Sequence, residues 1–358
     1  MEKPKFIPRL IAWELTRTCN LDCVHCRAAA SKGPYEGELT TEEVFRILEE
    51  ITEVGLPIII LTGGEPLLRK DLIEITQKAS SLGLKPVLAT NGTLLTKEIL
   101  RELKKAGISR VSISLDGADA RSHDNFRKMP HAFEGAMRGI KLLKECGIPF
   151  QINTTVTAVN AHELPKVHEL AKALGAVAHH IFLLVPVGRG KELAEEALPP
   201  ERYEEILHWF YEQRGKSGLH LKATCAPHYY RIMRERAREE GLEVTYETFG
   251  LDAVTRGCLA GTGFCFISHQ GIVQTCGYLE IPCGDLRKNT FKEVWEGSEV
   301  FNKLRDFRNY RGKCGRCEYI RVCGGCRARA YEATGDYLEE EPLCTYQPKK
   351  ERLLSQRQ

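Results

Sequence analysis

The chain has 358 residues, with 51 Lys and Arg against 48 Asp and Glu, a net charge of only +3, 42% hydrophobic and 28% charged residues. That length suits about two domains at roughly 150 residues each, and the composition excludes a disordered chain, a collagen-like chain and a small disulfide scaffold. The near-neutral balance argues against nonspecific nucleic-acid binding, no apolar run of about 18 residues is present to span a membrane, and Met1–Pro8 lacks the apolar core of a secretion signal, so the expected location is the cytoplasm.

From residue 9 to about 215, short apolar stretches alternate with amphipathic ones. Strands are expected at Leu10–Thr16, Pro57–Thr62, Lys85–Thr90, Arg110–Leu115, Pro149–Val156 and His179–Val185. Between them lie helical stretches at Thr41–Val54, Lys70–Leu82, Thr96–Ala106, Ala132–Cys146 and His162–Leu174. The first of these opens on Thr40-Thr41-Glu42-Glu43, the spacing of a capping box. Gly55, Gly83, Gly107, Gly147 and Gly175 each follow a helix, at the position where a left-handed residue ends it. A repeated βα unit implies a parallel sheet. Six strands fit a partial (β/α)6 TIM-like barrel better than an open doubly wound sheet, and the chemistry then belongs at the strand C-terminal ends. After about residue 215 the pattern breaks. Pro227–Glu240 reads as an Arg-rich helix, Phe264–Ser268 and Ile272–Thr275 as short strands, and 290–305 as a short helix. The expected division is a barrel over 1–215, a helical bridge over 216–254 and a loop-rich unit over 255–358. The last has few apolar runs, so metal is expected to hold it together.

Fourteen cysteines are the anomaly. A cytoplasmic chain keeps thiols reduced, and nine of them lie between Cys258 and Cys344, so metal ligation is the default use. Cys19, Cys23 and Cys26 follow the first strand as CxxxCxxC. Three thiolates hold three irons of a [4Fe–4S] cluster and leave the fourth open to a ligand. The plainer alternative is a zinc knuckle with His25 as fourth ligand.

This motif, placed after the first strand of a six-unit barrel, resembles the radical S-adenosylmethionine (SAM) superfamily. The resemblance continues at the later strand ends: Gly63-Gly64-Glu65-Pro66, Thr90-Asn91-Gly92, Ser114-Leu115-Asp116-Gly117, Asn153 and Thr155, then Val185-Pro186-Val187-Gly188-Arg189. It implies that Gly63, Gly64 and Glu65 face the SAM amino group. Ser114, Asp116, Arg127 and Asn153 would lie near its ribose or carboxylate, with Asn91 and Val185 on the same rim. For Asn91, Asp116 and Asn153, a structural turn or cap is an equal alternative. The chemistry so implied is one-electron cleavage of SAM to methionine and a 5′-deoxyadenosyl radical, with a reduced flavodoxin or ferredoxin as donor.

Cys314, Cys317, Cys323 and Cys326 form CxxCx5CxxC, preceded by Cys258, Cys265, Cys276 and Cys283 and followed by Cys344. This order resembles the SPASM extension of the superfamily, which carries one or two auxiliary [4Fe–4S] clusters, although members typically end CxxxC. The resemblance assigns Cys314, Cys317, Cys323 and Cys344 to one cluster. Cys258, Cys276 and Cys326 go to another, with Cys265 or Cys283 as fourth ligand. A pair of zinc ribbons is the alternative. Cys146, on a helix, reads as a small packed residue.

Between the groups lies Cys225-Ala226-Pro227-His228-Tyr229-Tyr230-Arg231. Its position suggests a cavity lining, with His228, Tyr229 and Arg231 as candidate substrate residues. Arg231, Arg234 and Arg238 share a helix face, either as a solvated face or as a wall for carboxylates. With Ala223–Ala237, Gly257–Gly271, Cys276–Arg287 and Gly312–Pro348, the segment resembles the radical SAM enzymes of alternative heme biosynthesis. That branch implies an acidic tetrapyrrole substrate and, nearest in pattern, oxidative decarboxylation of two propionates of iron-coproporphyrin III to vinyl groups. Each vinyl leaves one excess electron, and an auxiliary cluster is its expected acceptor. Sibling chemistries are deacetylation of 12,18-didecarboxysiroheme and a step of d1 heme assembly. A peptide-modifying SPASM enzyme and a zinc-stabilised binding module are the more distant alternatives.

Overall fold

A computed structural model describes residues 6–349. Seven strands form its centre: β1 (Leu10–Thr16), β2 (Ile58–Gly63), β3 (Lys85–Thr90), β4 (Arg110–Ser114), β5 (Phe150–Val156), β6 (Ala178–Leu183) and β7 (His220–Thr224). They pair in parallel and in chain order. A doubly wound sheet reverses its order at a switch point. No reversal occurs here, so the strands wrap as a partial barrel with every C-terminal end on one rim.

The connecting helices are α1 (Thr41–Thr52), α2 (Leu72–Ser81), α3 (Lys97–Lys105), α4 (Ala120–Arg127), α5 (Ala132–Cys146), α6 (Leu164–Leu174), α7 (Pro200–Glu212) and α8 (His228–Glu239). In α1, Thr40 and Glu43 close a capping box, and Val44, Ile47, Leu48 and Ile51 make one buried stripe. That i, i+3, i+4 spacing faces Ile11, Trp13, Leu15, Ile59 and Leu61 in the main core. Gly83, Gly107, Gly147 and Gly175 are left-handed, as the helix ends require. Gly55 is not; a Cβ there would meet Ile7 Cγ2 at 2.8 Å, so close packing explains it.

The expected bridge and the join of the C-terminal unit both depart from expectation. The strand β7 opens the segment expected to be a helical bridge. Its five residues bury only Leu221 and Ala223 and include Lys222, too weak an alternation to stand out. Further, the C-terminal unit is joined to the barrel by backbone. Strand β8 (Phe264–Ile267) pairs in parallel with β1, and β9 (Ile272–Cys276) and β10 (Leu279–Asp285) continue the sheet antiparallel, giving ten strands in the order β10-β9-β8-β1-β2-β3-β4-β5-β6-β7. Ile267, Val273, Leu286, Phe291, Trp295 and Phe301 enter the main core itself. Shared apolar burial therefore ties this unit to the barrel in addition to the metal expected to hold it.

A second core lies between β6, β7, α7 and α8, with Tyr203, Ile206, Phe210, Tyr229, Ile232 and Met233 inside it. No helix among the described residues is long and apolar enough to cross a membrane.

Candidate active site

The loop after β1 places Cys19, Cys23 and the half-buried Cys26 around a small apolar cluster with Leu21, Ala28 and Ala30. Nitrogen donors reach all three sulfurs. Leu21 N donates to Cys19 Sγ at 3.4 Å, Ala30 N to Cys26 Sγ at 3.4 Å and Arg127 Nη1 to Cys23 Sγ at 3.6 Å. Burial pushes the Cys19 thiol up to about 12 and raises Cys23 as well, against the pull of Arg127. Such thiols ionise only beside a positive centre. Together with N–H donors aimed at sulfur, that fits cluster iron. Among the described residues, no three His, Cys, Asp or Glu groups converge tightly enough for a single ion. His25, the fourth ligand of the zinc alternative, stacks on Phe126 at 4.5 Å with Nε2 3.9 Å from Asp116.

The glycines of the second strand end serve this loop. A Cβ on Gly63 would meet Thr16 O at 2.3 Å, and one on Gly64 would meet Thr18 O at 2.4 Å. Only glycine lets the Thr16–Thr18 backbone lie so close, and Gly64 N and Glu65 N donate to Thr16 O and Thr18 O. Buried Glu65 accepts from Leu67 N, Thr90 Oγ1 and Asn91 N, so its carboxylate ties the ends of β2 and β3. Burial nonetheless raises it to about 6. Asn91 Nδ2 donates to Asn20 Oδ1 inside the cysteine loop, and Asn91 Oδ1 accepts from Thr93, a turn role.

Asp116 is buried at the end of β4. Its Oδ1 accepts from Thr155 N at 2.7 Å, and its Oδ2 lies 2.5 Å from Arg127 Nη2. Arg127 therefore bridges Asp116 and Cys23. Burial raises the Asp116 carboxyl, while Arg127 opposes that rise. Ser114 and Asn153 are register partners across β4 and β5 and are both half-buried on the rim. Val185 is buried among Leu279, Cys326 and Ala328, on the C-terminal side.

Arg189, at the end of the sixth strand motif, has a task that the motif itself does not reveal. Its Nε donates to Cys23 O at 2.9 Å, Nη1 to Ala30 O at 2.8 Å and its backbone N to Cys26 O at 3.0 Å. The segment after β6 thus clamps the cysteine loop across the barrel mouth. The signal was an Arg next to a glycine at a strand end. A Cβ on Gly188 would meet Arg27 O at 2.2 Å.

The remaining cysteines sort into three neighbourhoods. Cys314 and Cys344 bear electrostatically on Cys323, and Cys314 on Cys317, which gathers Cys314, Cys317, Cys323 and Cys344. Cys276, Cys326 and Cys225 pack in one cluster, with Cys258 acting on all three. Cys265 and Cys283 lie together beside Arg305 against the main core, Cys265 opposite Ile11. Either was expected as a fourth ligand near Cys258, Cys276 and Cys326; the fold places Cys225 there instead.

The substrate candidates separate. His228 is buried edge-on to Tyr203 at 5.0 Å, with no partner on either ring nitrogen among the described residues. Burial holds it neutral, at about 4. Tyr229 turns into the second core against Phe210. Arg231 is buried and paired with Glu204 and Glu235, the latter at 2.6 Å, so it is no free wall for a ligand carboxylate. Arg234 is half-buried and Arg238 exposed. Nearby, a cavity of about 330 Å³ is lined by Leu183, Leu184, Pro186, Tyr203, Arg329 and Leu343. Arg329 is fixed there by Glu341 Oε1 at 2.7 Å and Leu184 O at 2.9 Å.

A family model described as the radical SAM superfamily matches residues 13–171, and one for the SPASM iron–sulfur cluster-binding domain matches 258–327. The AdoMet-dependent heme synthase of Methanosarcina barkeri is 57% identical over 96% of this chain and 98% of the relative. That of Nitratidesulfovibrio vulgaris is 55% identical over 96% and 93%. The Fe-coproporphyrin III synthase of M. barkeri is 31% identical over 94% and 87%. Among solved structures, Streptococcus suis SuiB bound to S-adenosylmethionine superposes with a TM-score of 0.74 over 95% of this chain and 78% of that one. At 17% identity that likeness is one of fold.

Proposed function

The chain belongs to the radical SAM superfamily, carries its SPASM domain and groups with the AdoMet-dependent heme synthases; from that premise we propose that it converts iron-coproporphyrin III to heme b. The reaction is R–CH2–CH2–COO⁻ → R–CH=CH2 + CO2 + H• + e⁻, carried out on two propionates. Its radical SAM domain binds a [4Fe–4S] cluster and SAM, and its SPASM domain binds auxiliary iron–sulfur. When bound at Cys19, Cys23 and Cys26, the cluster and SAM supply the carbon radical that takes up the hydrogen atom.

The chain's own residues position and seal this site. Glu65, Asn91 and Arg189 fix the cysteine loop. Ser114 and Asn153, on adjacent strand ends, are the polar pair we assign to SAM. Arg127 sets a positive charge beside Cys23 and Asp116. Neutral His228, whose ring nitrogens have no partner among the described residues, is the group we assign to the substrate side, while Arg329, paired with Glu341, shapes the cavity wall.

The observation that carries the reading is the near full-length likeness to heme synthases, well above that to the Fe-coproporphyrin III synthase. The test is anaerobic incubation with SAM, dithionite and iron-coproporphyrin III, followed by mass spectrometry. Loss of two CO2 is expected. No loss there, with acetate removed from 12,18-didecarboxysiroheme, would overturn the proposal in favour of the sibling reaction.

A further inference from the structure

We propose that Cys225, at the end of the last barrel strand, is the fourth protein ligand of the auxiliary cluster held by Cys258, Cys276 and Cys326. Its placement carries this. Cys225 follows β7 directly and packs in one cluster with Cys276 and Cys326. Cys258 N donates to Cys323 O at 3.0 Å, which draws it to the same loop. The other two unassigned thiols are elsewhere, Cys265 fully buried between Ile11 and the main core and Cys283 beside it.

The backbone of Cys225 is also held in an unusual state. Its φ is +55°, one of four non-glycine residues with positive φ among those described. A side chain is strained there, and such strain persists where the surroundings impose it. Here they do: Arg329 Nη2 donates to Cys225 O at 2.5 Å and Tyr203 Oη to the same oxygen at 3.2 Å. Arg329 is itself locked by Glu341, whose Oε2 accepts from Cys326 N at 2.7 Å. One chain of bonds therefore fixes Cys225 and Cys326 relative to each other. An unliganded packing cysteine needs no such turn. Cys146 shows the contrast, lying in a regular helix.

The assignment makes the cluster a staple between the barrel rim and the C-terminal unit. It is tested on the anaerobically reconstituted full chain by iron and sulfide content, visible absorption and electron paramagnetic resonance. Cys225→Ala is expected to lose between one and about four irons, as a [3Fe–4S] remnant or an empty site. Cys265→Ala and Cys283→Ala are expected to keep the wild-type iron. Should Cys225→Ala fail to fold by circular dichroism, Cys225→Ser decides. An oxygen ligand retains iron but shifts the cluster's spectrum. Wild-type iron and an unchanged spectrum in the Cys225 variants would overturn the assignment, as would iron loss in Cys265→Ala or Cys283→Ala instead.

Discussion

Arg27, the residue after Cys26, donates from Nη1 to the carbonyl of Gly277, the residue after Cys276, at 3.4 Å. The same guanidinium lies 4.3 Å over the Phe266 ring and pairs through Nη2 with buried Glu14 at 3.0 Å. One side chain thus ties the SAM-side cysteine loop to the neighbourhood of Cys225, Cys258, Cys276 and Cys326.

Removing Arg27 leaves the Glu14 carboxylate buried with less of its compensation. Breaking one side of a buried pair costs about 3–5 kcal/mol. Arg27→Ala is expected to lower anaerobic unfolding stability by that order. Arg27→Lys, which keeps the charge but cannot make both bonds, should fall between. Urea denaturation of the iron-loaded protein is the check, and an unchanged midpoint in Arg27→Ala would contradict it.

Acid should loosen the same joint. Burial by itself would raise Glu14, but Arg27, His269 and Arg17 outweigh it and hold the carboxyl at about 2 against an ordinary 4.5. His269 Nδ1, beyond β8, is 2.8 Å from Glu14 Oε1, so the pair spans both units. A depressed carboxyl contributes stability that is fully present above pH 4.5 and is lost as pH falls towards 2. The difference is worth about 3 kcal/mol. In Glu14→Gln the corresponding slope of stability against pH below 4.5 should flatten, measured by urea midpoints across that range. An equal slope in both proteins would remove Glu14 as the cause.

Gly64 is a steric requirement of the cysteine loop. Gly64→Ala sets a Cβ within 2.4 Å of Thr18 O and 2.5 Å of Arg17 O, and backbone atoms cannot yield as a side-chain end can. The loop must move, so about four irons per chain should be lost while auxiliary iron remains. Retention of all iron with normal SAM cleavage would show that the loop tolerates the shift.

How far the sequence alone reaches follows from which contacts are local. Strands β1 to β6 were legible because parallel strands buried on both faces give continuous apolar runs, and Thr40 with Glu43 marked α1 through a contact three residues long. Spacing also grouped Cys19, Cys23 and Cys26, and Cys314 with Cys317. Convergence from afar was not legible. Cys225 meets Cys326 across about a hundred residues, and no periodicity records that. Cys265 looks like a ligand by count yet follows the strand alternation that buries Ile11 and Ile267. Arg231 reads as a free basic face until Glu204, on another helix, is placed beside it. Helix α4 was missed since ARSHDNFR offers little apolar pattern; it buries His123, Phe126 and Arg127.

The set of Cys314, Cys317, Cys323 and Cys344 supports a last prediction about the electron left by each decarboxylation. Burial raises Cys317 and Cys344 to about 11, and a positive centre such as iron offsets that rise. Arg327 Nη2 donates to Cys314 Sγ at 3.3 Å, Glu341 N to the same sulfur at 3.5 Å and Gly325 N to Cys323 Sγ at 3.4 Å. Hydrogen bonds to cluster sulfur raise a reduction potential, which suits an acceptor. Replacing Cys314 and Cys317 by Ala should therefore remove about four irons, leave SAM cleavage in place and stop vinyl formation. Cys19→Ala should do the reverse for iron, losing the first cluster and all SAM cleavage while auxiliary iron stays. Iron counts, 5′-deoxyadenosine yield and porphyrin mass spectra on the three proteins separate these outcomes. Undiminished vinyl formation in the Cys314 and Cys317 variant would show that the electron leaves by another route.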